Sequence, residues 1–381
     1  MAPALSHVDW ILTTGRQLGL DRMVYGLAER LCDAGVPLMR LRLSMRTTHP
    51  LTEAESVLWE ADTGPITQSD APHGLETRPA YIGSPMAVIA ETGAPLRRKL
   101  TAPLAPSDHL VLRELRDRGA TDYFGLPLDF VAGTGGMVIF VSNAPTGFSD
   151  ADIDLLHRIA NALCPIAEAH GNHRLATAIA TSYLGARTGQ RVLAGQITRG
   201  NIETIEAAIL FSDIRGWTAL NATRPASEAL AIANTYFEVM SEAVDTTNGE
   251  ILKFMGDGVL ALFPSDGTDQ GRQSTCRQAI AASHAAQGIA VLADLPVPFG
   301  IGIHYGEVLY GNVGARTRID FTILGQAVNI ASRVESFCRR LSQTILVSDT
   351  VAAIADVPMR HVSTQALKGL DTPMPLHTPS T

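Results

Sequence analysis

Cysteine is scarce in this chain: Cys32, Cys164, Cys276 and Cys338 are the four among 381 residues, and no two form a CxxC pair. That scatter excludes a zinc-finger spacing and a disulfide framework, and it predicts reduced, mostly buried thiols in a cytoplasmic protein. Positive charge is also in deficit. The formal net charge is −8, which argues against general binding to nucleic acid or to an anionic membrane while leaving room for a local basic pocket. No apolar run reaches the roughly 18 residues a membrane-spanning helix needs. The opening "MAPALSHVDWILTTGRQ" has no basic stretch followed by a long apolar core, so no signal peptide is expected. Internal repeats and low-complexity tracts are missing as well.

What remains suits globular cores: 46% of residues are hydrophobic and 18% charged, in a length that fits two domains. Residues 8–34 read as a helix pair or one long amphipathic helix. "LMRLRLSM" (38–45) and "SVLWEAD" (56–62) read as strands, and the Pro/Gly/Ser/Thr-rich stretch 63–85 as loop. "DHLVLRELRDRGA" is helical, and "DYFGLPLDF" and "GMVIFVSN" are antiparallel strands joined by "VAGTGG". Ser149 caps a long helix that contains Pro165, a residue that kinks helices. The polar, glycine-punctuated "ARTGQRVLAGQITRGN" (186–201) reads as a linker. From 205 a second α+β unit begins, with a buried strand "IEAAILFSD" and a helix whose Leu230, Ala233, Phe237, Met240 and Val244 recur at helical steps before Gly249 stops it. A hairpin, another helix, the strand "VPFGIGIHYG", a helix near 326–340 and "TILVSD" follow. The order is ferredoxin-like βαββαβ, an antiparallel sheet with helices on one face.

The hairpin "ILKFMGDGVLALF" poses a problem of charge. Lys253 and Asp257 sit in an apolar surrounding, where an unpaired charge costs several kcal/mol (about 3–5). Asp257 in an Asp-Gly pair is, taken alone, a turn residue. Asp213, ending "FSD" ahead of Gly216, is taken alone a strand-end cap. In a ferredoxin-like sheet, however, the end of the first strand and the central hairpin are neighbours. Two carboxylates there can share divalent cations, and the amides of "DIRGWT" can face a phosphate. Asn329 and Arg333 are four apart on one helix face, a solvated surface or a ribose and phosphate reader. Lys368, in "LKGLDTPM", is by itself an ordinary loop lysine.

Together "FSDIRGWT", "ILKFMGDGVLALF", "GIGIHYGEV", "FTILGQAVNIASRVE" and "LKGLDTPM" resemble, in order and spacing, the catalytic domain of the class III nucleotidyl cyclases, over about residues 205–377. The resemblance implies that Asp213 and Asp257 bind two Mg²⁺ or Mn²⁺ ions per site and that Lys253 and Thr322 read the purine. It further implies that Asn329 orients the ribose, Arg333 meets the transition state and Lys368 binds phosphate. Ile214, Arg215 and Gly216 would offer their backbone to the triphosphate. Arg316 and Arg318 are both candidates for a further phosphate contact. Thr322 stands where many adenylyl cyclases have Asp, and so resembles a subgroup that includes bicarbonate-responsive enzymes. Guanylyl cyclases would place Glu at 253; Lys can only donate, which favours ATP. The glycine-glycine-acidic-acidic turn of diguanylate-forming enzymes is absent.

The resemblance therefore implies an adenylate cyclase that makes cyclic AMP and pyrophosphate at a homodimer interface, in a cytoplasmic protein. A guanylate cyclase and an inactive nucleotide-binding signalling module are the alternatives. Residues 1–170 resemble, less specifically, a GAF-type sensor that would take an unknown small-molecule effector, with 171–204 as a helical transducer and 205–381 as the catalytic domain. "RTTHP" (46–50) and the His170/His173 pair are weaker suggestions of haem or metal.

Overall fold

Ser6 opens the first helix by accepting the Asp9 amide at 3.1 Å, a side-chain N-cap. In this computed structural model α1 (His7–Thr13) and α2 (Leu20–Asp33) are separate, so the pair, not one long helix, forms. The structure describes residues 6–47, 52–131, 135–368 and 370–380, with 64–68 by backbone alone. Thr48, His49 and Pro50 of "RTTHP", Ala132–Thr134 of the expected "VAGTGG" connection and Gly369 lie outside the described residues. The chain divides into two units, Met1–Ile179 and Ala180–Thr381.

In the first unit β1 (Leu38–Arg46), β2 (Ala54–Glu60), β3 (Gly64–Ala71), α3 (Pro85–Thr92), β4 (Leu96–Lys99), α4 (Leu110–Asp117), β5 (Asp122–Leu128) and β6 (Gly136–Ser142) precede α5 (Asp150–Leu184). Ser149 accepts the Asp152 amide at 3.2 Å, and α5 is helical on both sides of Pro165. The strands pair antiparallel in the order β3-β2-β1-β6-β5-β4. Alternation sorts the side chains of β1. Leu41 and Leu43 join Met23 and Leu27 of α2 and Leu156 and Ile159 of α5 in one core. The other face carries a second core with Ile89 of α3 and Leu112 and Leu115 of α4. The expected loop 63–85 is corrected at both ends: 64–71 forms edge strand β3, and Pro85 opens α3. An edge strand tolerates Pro65 and a polar composition because one of its backbone edges needs no partner.

The second unit contains α6 (Ala186–Leu193), β7 (Ile202–Ile214), α7 (Trp217–Thr223), α8 (Ala226–Asp245), β8 (Glu250–Met255), β9 (Gly258–Pro264), α9 (Asp269–Leu292), β10 (Phe299–Gly314), β11 (Ile319–Leu324), α10 (Gln326–Arg340), β12 (Ile345–Ser348), α11 (Asp349–Ala355), β13 (Met359–Gln365) and β14 (Met374–Pro379). The sheet runs β13-β14-β12-β10-β7-β9-β8, with β11 also on β10. Its β10-β7-β9-β8 portion, with α8 and α9, is the expected βαββαβ plan.

Several expectations change here. β12 runs parallel to β10, so the sheet is mixed. Helices cover both faces. Tyr236 and Met240 of α8 and Cys276 and Ala279 of α9 pack on Leu210 and Ile301, whereas Ala327 and Ala331 of α10 pack on Ala207, Ile209 and Leu262. The glycines of "GIGIHYG" explain the second layer. A Cβ on Gly302 would lie 2.2 Å from the Glu335 amide nitrogen, so only bare backbone lets α10 approach. The buried stripe of α8 runs through Ala229, Ile232, Tyr236 and Val239, and Leu230 is 60% exposed. At the end of α8, Asn248 takes the left-handed position (φ 62). Gly249 is needed for space instead, since a Cβ there would meet the Phe263 ring at 2.5 Å. Of the four thiols only Cys276 and Cys338 are buried; Cys164 is half-buried and Cys32 exposed. The linker is partly a helix. The carboxylate of Glu250 accepts both the amide and the hydroxyl of Thr188 on α6, at 3.0 and 2.7 Å, and the Tyr310 hydroxyl at 2.9 Å.

Candidate active site

Register brings the first two carboxylates together. Asp213, at the end of β7, pairs with Gly258 on β9 and Gly300 on β10. Gly256 (φ 66) turns the β8–β9 hairpin, and the carbonyl of Asp257 accepts the Ile214 amide at 3.2 Å. Burial first, then the neighbouring Asp257 carboxylate, push the Asp213 carboxyl up to about 6, against the Ile214 amide. Like charges held this close need protons or cations between them. Among the described residues no group of three or more His, Cys, Asp or Glu surrounds a metal position. A pair of carboxylates completed by phosphate oxygens is nevertheless the donor set a hard cation such as Mg²⁺ takes, so the residues fit.

The end of β7 is fixed from below. Buried Ser212 donates to the Gly300 carbonyl at 2.8 Å and accepts the Tyr236 hydroxyl at 2.7 Å. After Asp213, buried Ile214 leads into a turn. The Arg215 amide donates to Pro298 at 2.8 Å, its guanidinium to the Gln343 carbonyl, and Gly216 is left-handed (φ 77). Arg215 thus spends its side chain inside the protein, and only backbone remains to face a ligand. Glu335 is a third acid beside this pair. Its carboxyl is pushed up to about 7 by burial first, then by Asp213, with Asp257 adding and Arg215 opposing. Sequence reasoning missed it, because "SRVES" reads as ordinary helix surface.

The remaining residues form a second set. The Lys253 ammonium pairs with the Asp320 carboxylate at 2.5 Å, which is where its charge goes within one chain. Asp320, two residues before Thr322, was not singled out from sequence. Thr322 is 8% exposed and pairs with Gly311. Asn329 is exposed on α10. One turn on, the Arg333 guanidinium donates to the carbonyl of Lys368, whose side chain is exposed. Arg316 and Arg318 lie exposed in the β10–β11 turn. The structure thus joins Asp213 with Asp257, and Arg333 with Lys368. Among the described residues no hydrogen bond or ion pair links the carboxylate pair to the Lys253, Arg333 and Lys368 set.

Comparison with known proteins places this arrangement. Residues 201–374 match the family described as the adenylate and guanylate cyclase catalytic domain. Residues 201–374 belong to that family. The cyclase domain is 34% identical over 163 residues to an adenylate cyclase of Anabaena cylindrica, spanning 42% of this chain and 32% of the relative. It is 32% identical over 181 residues to adenylate cyclase 1 of Rhizobium meliloti (strain 1021), spanning 45% and 27%. The chain therefore spans about a third of the length of these relatives. Among solved structures, the adenylyl cyclase CyaB from P. aeruginosa is similar at 27% identity and a TM-score of 0.41, over 47% of this chain and 96% of that one. No described helix is long and apolar enough to cross a membrane.

Proposed function

We propose that residues 205–381 are an adenylate cyclase that converts ATP to 3′,5′-cyclic AMP and pyrophosphate at the interface of a homodimer, with residues 1–170 as a GAF-like sensor and 171–204 as the transducer. The carrying observation is the facing Asp213–Asp257 pair, two half-buried carboxylates that make no ion pair with a Lys, Arg or His among the described residues. Divalent cations held there, Mg²⁺ or Mn²⁺ and two per site, would acidify the ribose 3′-hydroxyl and neutralise the β- and γ-phosphates. The chain's own residues do the rest. Lys253 donates to the purine, which suits the N1 acceptor of adenine and not the N1–H of guanine. Thr322 serves the adenine amino edge. Asn329 orients the ribose for in-line attack, and Arg333 meets the charge that grows on the α-phosphoryl oxygens. Lys368 and the Ile214–Gly216 backbone bind phosphate, with Arg316 or Arg318 able to join them.

Separate partners for the two residue sets support a site built from two chains. The hairpin between Lys253 and Asp257 also exposes Phe254 (49%) and Met255 (38%), apolar surface suited to a partner subunit. The test is incubation of the purified chain with ATP or GTP in Mg²⁺ or Mn²⁺, with products identified by mass. Cyclic AMP is expected. Cyclic GMP in its place would move the assignment to a guanylate cyclase, and neither product from folded dimer would leave an inactive binding module.

A further inference from the structure

The first unit contains a cavity of about 910 Å³ between one face of its sheet and α3. Its floor is unusual. The alternation of β1 sends Leu41 and Leu43 into the core, and Arg40, Arg42 and Ser44 into the cavity. A polar strand face ordinarily meets water; here it is roofed by Pro85, Met86 and Ile89 of α3, with Tyr123 and Ile139 lining the sheet side.

The charges on this floor are not balanced in the same way. Arg40 has Glu60 at 3.6 Å, though Glu60 is closer to Arg118, at 2.8 Å. Arg42 has only neutral partners: its Nε donates to Ser44 Oγ at 3.1 Å and its Nη2 to Ser56 Oγ at 3.0 Å. Among the described residues no carboxylate lies within ion-pair distance of it. Burial, and then the Arg40 charge, weaken its hold on its proton, and the opposing influence is the tyrosine Tyr123. A guanidinium keeps its charge in any protein, and a partly buried unpaired cation is costly. The chain could have placed a neutral residue here; it keeps a planar fork that matches an oxyanion, set beside apolar walls.

We infer that this cavity binds a small organic anion, whose oxyanion group lies against the Arg42 guanidinium and the Ser44 and Ser56 hydroxyls and whose apolar body fills the space beneath α3. Carboxylates and phosphate monoesters share that chemistry, and the two are separable by experiment. Ser44 and Ser56 lie 2.6 Å apart, so their hydroxyls can turn to donate to an anion while Arg42 holds its plane. The inference concerns the first unit alone and does not depend on what the cyclase domain turns over.

The probes are 2-naphthoate, its uncharged isostere 2-naphthamide, and 2-naphthyl phosphate, each titrated calorimetrically into the 381-residue chain. One saturable site per chain is expected for at least one of the two anions, with the amide at least about tenfold weaker, the size of a lost charge-assisted hydrogen-bond pair. Which anion binds more tightly distinguishes carboxylate from phosphate recognition. In Arg42→Gln the preferred anion weakens at least tenfold while the amide is unchanged, and Arg42→Lys falls between. Should a variant fail to fold, the anion-against-amide comparison on the unaltered chain still decides. No binding of either anion up to millimolar concentration, or equal binding of anion and amide, overturns the inference. Binding is read without turnover, so failure here is distinct from failure of the cyclase reading.

Discussion

His304 shows how a single side chain ties the cyclase domain's stability to pH. It is 6% exposed, its Nδ1 lies 2.8 Å from Ser348 Oγ, and burial pushes its pKa down to about 4. The folded form therefore holds it neutral, while the unfolded chain takes up a proton as pH falls below 6.5. Between pH 6.5 and about 4 the unfolded state binds more protons, so stability falls on acidification and changes no further below the folded value. From pH 7 to pH 5 this one group should remove about 2 kcal/mol. Urea unfolding of the cyclase domain at both pH values checks it: His304→Gln should lose less between pH 7 and pH 5 than wild type by about that amount. An equal loss in both would show that His304 keeps its ordinary pKa in the fold. Lys253 makes a related point about local charge. The sequence posed it as an unpaired cation in an apolar hairpin, and the structure pairs it with Asp320, sixty-seven positions away. No local pattern announces such a partner.

Elements follow sequence pattern where the pattern is local, and depart from it where distant packing decides. The β8–β9 hairpin, the strand ending at Asp213 and α10 all stand where apolar period and turn chemistry put them. β3 was hidden because an edge strand needs no alternation of its own, and Leu230 because a helical period does not fix which of two adjacent stripes is buried. The side of the sheet that α10 covers was readable in principle, since "GIGIHYG" clears one face of β10 at Gly300, Gly302 and Gly306, but glycines in a strand more often signal a bulge. Gly302→Ala tests that packing. Its methyl would press on the Glu335 amide, Glu335 Cα and the Ala331 carbonyl, all backbone that cannot rotate away. Loss of about 2–3 kcal/mol is expected from overpacking of this kind, read as a lower unfolding midpoint with reduced catalytic rate. An unchanged midpoint would mean that α10 is free to shift outward. For the candidate site the division is the same: the residue types and their spacing were legible, but the third acid Glu335, the inward turn of Arg215 and the Tyr236–Ser212 support were not, because each depends on a contact made across the fold.

At the scale of the whole molecule, the question is how residues with separate partners in one chain could act on one nucleotide. In a symmetric homodimer each site would take Asp213 and Asp257 from one subunit and Lys253, Thr322, Asn329, Arg333 and Lys368 from the other, so two sites arise from one isologous interface. Asp257→Ala and Arg333→Ala should each reduce activity by about 10²–10³ or more, as loss of charge stabilisation at a reacting phosphate does. In a heterodimer of the two, one site collects both defects and the other neither. Random exchange from equal amounts makes half the dimers mixed, each with one intact site of two, so activity should return to about a quarter of wild type. Sites confined to single chains would leave every site defective, and mixing would restore nothing. Co-expression with two affinity tags isolates the mixed dimer and raises the expected value to about half. Proven heterodimers with no regained activity would place the whole site within one chain, and the exposed Phe254–Met255 hairpin would then require another partner.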